Sequence, residues 1–100
     1  MLKKYLRDKN RNRVGVVVAF QDDEGIVRVG WSKCRTNLDH FDRNRGVKIA
    51  FDRANTTRPS VININKIPMC VRPYLLDMRQ RALAYYKDYV GYVNIEGIDI

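Results

Sequence analysis

Arginine and tyrosine are the side chains best placed to act in this chain, and both suit holding a ligand better than transforming one. Arg79, Arg81, Tyr85 and Tyr86 fall in one short stretch. On a helix Arg81 and Tyr85 stand four apart, so their side chains can meet on one surface, while Arg79 and Tyr86 share another. A guanidinium fork takes a phosphate bidentately and an aromatic face stacks on a base. A nucleotide uses both. The competing reading is that the tyrosines pack the core and the arginines are solvated. A second set, Arg43, Arg45, Lys48 and Arg53, lines another predicted helix, with Arg53 beside Phe51 and Ala54 on its apolar side. Trp31, the one tryptophan, is either a core residue or a stacking platform. The candidate ligand-binding residues are Arg81, Arg79, Tyr85, Arg53, Phe51 and Trp31.

Groups for catalysis are scarce. His40 is the single histidine, and a pair with Cys34 at a helix start could activate the thiol. Cys34 at the end of a half-buried strand is better read as a packing residue. Asp22, Asp23 and Glu24 sit together in a turn but lack the ligand spacing of a calcium loop, so a solvated turn is expected. There is no phosphate-binding glycine loop, no paired Cys-x-x-Cys and no zincin motif. The expectation is a non-enzyme with no catalytic residues, no metal and no cofactor.

With 100 residues, 45% of them hydrophobic and 30% charged, the chain is expected to fold as one domain over residues 1–100. The formal charge is +8, and residues 1–13 alone carry +5. Such a field favours nucleic acid, nucleotides, phosphorylated metabolites or an acidic protein without choosing among them. Two cysteines and no export signal suggest a reducing cytoplasm rather than a disulfide scaffold. The longest apolar run, Val14 to Phe20, is too short to span a membrane.

The elements that must position these residues read as an α+β fold. An N-terminal antiparallel meander is expected over 5–33. It comprises a short strand at Tyr5-Leu6-Arg7, a polar loop, a β-branched central strand from Val14 to Phe20, and a third strand burying Val27, Val29 and Trp31. A helix is expected over 37–54, capped by Thr36 or Asn37, with Asp39 and Asp42 in its first turns. Val47, Ala50, Phe51 and Ala54 form its apolar face, and Gly46 weakens it. Val61 to Ile64 reads as a short strand or extended connection. A second helix over 68–88, opened by Pro68 and Pro73, buries Tyr74, Leu75, Met78, Ala82 and Tyr85. Residues 91–100 read as a tail or short strand. Val90, Tyr92, Val93 and Ile95 are a candidate exposed interface of a homo-oligomer.

Three segments carry a family resemblance. Gly15-Val16-Val17-Val18-Ala19, Val29-Gly30-Trp31-Ser32-Lys33-Cys34 and the run from Phe41 to Ala50 followed by Arg53-Ala54 resemble the phage anti-Thoeris sponge family of the Tad-one type. Arg81-Ala82-Leu83-Ala84-Tyr85-Tyr86-Lys87 resembles that family's C-terminal helix, and the likeness spans most of residues 5–88. It implies a phage protein in the host cytoplasm that sequesters a cyclic ADP-ribose isomer without cleaving it, some members also holding cyclic oligonucleotides. It further implies dimers that build hexamers, with arginines and an aromatic group in a pocket near the dimer contact. That role carries over to Arg81, then to Arg79 and Tyr85; Ala84 stands where the family often has another basic residue. Phe51, Trp31 and Tyr85 are the candidates for the stacking aromatic. Two other classes remain: a small basic nucleic-acid-binding protein, and a protein inhibitor docking on an acidic host enzyme.

Overall fold

Nine residues from Arg13 to Gln21, dominated by valine, form the central strand of the molecule. In the computed structural model, which describes residues 1–34, 42–56 and 61–96, this strand (β2) pairs antiparallel with β1 (Leu2–Arg7) on one side and β3 (Ile26–Lys33) on the other. The expected meander is present, and β1 starts earlier than expected, at Leu2. The alternating side chains of β2 build two separate cores. Val16 and Val18 pack with Ala50, Val47 and Tyr5, while Val17 and Ala19 pack with Val27, Val29, Leu75, Met78 and Ala82. One helix therefore covers each face of the sheet.

The first helix, α1 (Arg43–Thr56), begins later than the expected 37–54. Asp42 is its cap rather than a first-turn residue: its Oδ1 accepts the N–H of Asn44 at 2.9 Å and of Arg45 at 3.1 Å. The proposed caps Thr36 and Asn37, with Asp39, His40 and Phe41, lie outside the described residues. The face of β3 opposite Val27 and Val29 lies beneath α1. Gly30 has no side chain, and a Cβ there would collide with the Ala50 carbonyl oxygen and lie 2.9 Å from the Ala54 Cβ. Ala50 and Ala54 are fully buried against it. Ser32 Oγ donates to the Gly46 carbonyl at 2.8 Å, so the mid-helix glycine lies against the sheet. Small residues on both sides bring helix and strand backbones close.

The second helix, α2, runs Arg72–Tyr85, shorter at both ends than the expected 68–88. Pro68 lies in the preceding turn, where its carbonyl accepts the N–H of Val71 and Arg72, and Pro73 sits inside the first turn. Leu75, Met78 and Ala82 are its buried stripe; Tyr85, expected on that stripe, is 66% exposed. After α2 the chain returns to the sheet. A two-residue strand, β5 (Gly91–Tyr92), pairs parallel with β3 at Ile26 and Val27. A three-residue strand, β6 (Asn94–Glu96), pairs parallel with β4 (Val61–Asn63). The sheet order is β1-β2-β3-β5, with β4-β6 as a separate pair. Val93 and Ile95, expected at an exposed interface, are core residues, while Val90 and Tyr92 are exposed. No helix among the described residues is long and apolar enough to cross a membrane.

Candidate functional site

Of three guanidinium–aromatic pairs, the two that contain expected site residues stand on different parts of this frame. The first joins α1 to β3. Arg53, in the last turn of α1, places its Cζ 4.3 Å from the centre of the Trp31 ring and donates from Nη1 to the Trp31 carbonyl at 3.0 Å. Trp31 alternates onto the α2 face of β3, so Arg53 reaches round the strand edge to meet it. Phe51, two residues earlier, stacks on Phe20 with ring centres 4.6 Å apart. That contact gives Phe51 a packing role.

The second pair joins α2 to β5. Arg79 lies half-buried with its Cζ 5.8 Å from the centre of the Tyr92 ring. Its Nε is buried and meets no acceptor among the described residues. A buried donor costs about 1–3 kcal/mol while unmet, so this Nε favours an acceptor that reaches it once the side chain turns. Tyr89 meets Tyr92 edge to face at 6.0 Å, and Tyr85 meets Tyr86 the same way at 4.9 Å. Burial pushes the Tyr86 phenol above its ordinary pKa and the neighbouring Tyr85 adds to the rise, so Tyr86 is neutral at pH 7.

The pairings expected from helical spacing are replaced by these. Tyr85 faces Tyr86 rather than Arg81, and Arg79 faces Tyr92 rather than Tyr86. Arg81 is exposed on α2. Tyr89 and Tyr92 were not among the expected site residues. The turn after α2 brings Tyr92 to Arg79 and Tyr89 to Tyr92, and helical periodicity carries no signal for residues beyond the helix. The Arg53–Trp31 pair belongs to the α1–β3 junction and the Arg79–Tyr92 pair to the α2–β5 junction.

The acidic turn has a structural explanation. Asp22 Oδ1 accepts the N–H of Glu24 and Ile26, each at 2.9 Å, and its Oδ2 meets Arg28 Nε at 2.7 Å. Burial alone would raise its pKa, but the Ile26 N–H, the Arg28 guanidinium and the Glu24 N–H together hold it below the ordinary value. Arg28 also reaches the Ala54 carbonyl at 3.4 Å, tying the turn to the end of α1. Among the described residues no group of three or more His, Cys, Asp or Glu is arranged to hold a metal ion. Cys34 and Cys70 are free thiols.

No protein-family model, no curated protein and no solved structure matches this chain.

Proposed function

We propose that this protein binds a nucleotide-class anion at the Arg79–Tyr92 cluster and holds it without turnover. The observation that carries the reading is the half-buried Arg79 guanidinium, set over an aromatic ring with one buried N–H unmet. A phosphate approaching that guanidinium gains charge-assisted hydrogen bonds, and the exposed Tyr92 ring, paired edge to face with Tyr89, supplies an aromatic surface for a purine. A guanidinium is a fixed cation, so the Arg79–Tyr92 pair supplies charge and surface rather than a group poised to move a proton. The ligand class follows from the resemblance: a cyclic ADP-ribose isomer or a cyclic oligonucleotide, sequestered as an immune signal by a phage protein.

Calorimetric titration of the purified protein with both classes of ligand tests this. Saturable binding is expected, with the ligand recovered intact after the protein is denatured. Removing the Arg79 guanidinium should cost about 1.5–3 kcal/mol of binding, a loss of roughly 10–100-fold in affinity for Arg79→Ala. Tyr92→Ala should weaken binding as well. Absence of heat with every ligand, or variants that bind as tightly as the parent, would reject the site. A stable complex with an acidic host protein in the same circumstances would favour the inhibitor reading.

A further inference from the structure

The first hairpin is a cationic surface separate from the Arg79–Tyr92 cluster. Lys3, Lys4, Arg7, Lys9, Arg11 and Arg13 are all exposed on β1, its loop and the start of β2. The one acid among them, Asp8, is occupied by the loop: its Oδ1 accepts the N–H of Asn10 at 2.8 Å and of Asn12 at 2.9 Å. β1 is an edge of the sheet. Lysines on an edge strand discourage pairing with a second sheet, which accounts for Lys3 and Lys4. It does not account for the loop. There Arg11 adopts φ 66, the left-handed conformation that glycine or asparagine takes at lower cost. Its own N–H donates to the Asp8 carbonyl at 2.9 Å, closing the turn. Arg7 Nη1 donates to the Arg11 carbonyl at 2.9 Å, and the Arg13 Cζ lies 4.7 Å from the centre of the Tyr5 ring. The hairpin thus holds a cation at a position where backbone energy favours another residue, and orders two more beside it.

We infer that this hairpin docks on the phosphate backbone of duplex DNA through charge alone. Duplex DNA is a denser polyanion than either of its strands alone, with one charge per ~1.7 Å of axis. Single strands are held largely by base stacking on open rings, and the hairpin's one aromatic side chain, Tyr5, is covered by Arg13. The loop of the hairpin lies away from the proposed ligand cluster. The hairpin loop joins the Arg13 end of β2, while β5 joins the opposite edge of the sheet near the Gln21 end, ~26 Å along the strand. The two functions can therefore fail independently.

Fluorescence anisotropy of a labelled duplex of about 20 base pairs, titrated with the full chain, tests the inference. Four or five phosphate contacts predict that the dissociation constant rises roughly 10²–10³-fold between about 50 and about 200 mM salt. The variant Lys4→Gln/Lys9→Gln/Arg11→Gly should flatten the log–log salt slope by about three units. Arg11→Gly alone should lower the slope by about one unit while raising the melting temperature by roughly 2–6 °C. Gain of stability with loss of DNA affinity is the signature of a cation kept for binding, and a purely structural arginine would not give it. The inference is overturned if no duplex is bound at about 50 mM salt, if the triple variant keeps the parent slope, or if Arg11→Gly melts no higher. Tighter binding of a single strand of the same length also overturns it. Arg79→Ala should leave the duplex titration unchanged, separating this surface from the nucleotide cluster.

Discussion

At the scale of single residues, the chain's polar chemistry divides into groups that hold the fold and groups that face outward. Asp22 is of the first kind. Its folded pKa lies below the ordinary value, so the stability it contributes is fully present above the unfolded-state pKa and is lost as pH falls through the folded one. Asp22→Asn keeps an oxygen for the Glu24 and Ile26 N–H groups but removes the charge facing Arg28. It should cost about 1–2 kcal/mol at pH 7, and the difference from the parent should shrink toward zero in acid unfolding curves taken below the carboxylate range. Arg53 and Trp31 give a second check at this scale. Because Trp31 is the single tryptophan, its emission reports on that pair alone. A ligand seated at Arg79 and Tyr92 should bind calorimetrically with little change in tryptophan emission, whereas strong quenching would move the site to Arg53.

Between elements, the decisive contact is α1 against β3. The helix rests on Gly30 through Ala50 and Ala54, so the interface has no room for a methyl group. Gly30→Ala should destabilise the protein by about 2–3 kcal/mol, read as a fall in melting temperature of roughly 8–20 °C. Ala54→Gly, which removes bulk from the same contact, should cost less than Gly30→Ala, and the reverse order would show that α1 is held by other contacts. The sequence gives good access to these elements and poor access to their limits. The valine run of β2 and the spacing of Leu75, Met78 and Ala82 are strong local patterns, and both elements are present. The expected start of α1 falls too early because Thr36 and Asn37 are acceptable caps by residue type, which places Asp39 and Asp42 in the first turns. Geometry at the carboxylate selects Asp42.

For the molecule as a whole, residues 91–96 tie the C-terminal region back to the sheet. The Val90 N–H donates to the Gly25 carbonyl and the Val93 N–H to the Val27 carbonyl, and Val93 and Ile95 complete the core. Ile95→Ala should therefore cost about 2–4 kcal/mol in denaturant unfolding, while Val90→Ala, at a 75% exposed position, should stay within about 0.5 kcal/mol. Equal effects would mean that β5 and β6 do not contribute to the core. The sequence by itself determined the fold class, the meander, the two helices and the strongly basic N-terminal region, because period-two and period-3.6 patterns and charge are local properties. It also singled out Arg79 and Arg53 as binding candidates. The partners of those arginines were decided by tertiary structure alone. Tyr92 reaches Arg79 through a turn and a two-residue parallel strand, too short for any alternation to mark, and Arg53 meets Trp31 across a strand edge. Contacts between residues so far apart in the chain exist only once the sheet has fixed the register of the elements that carry them.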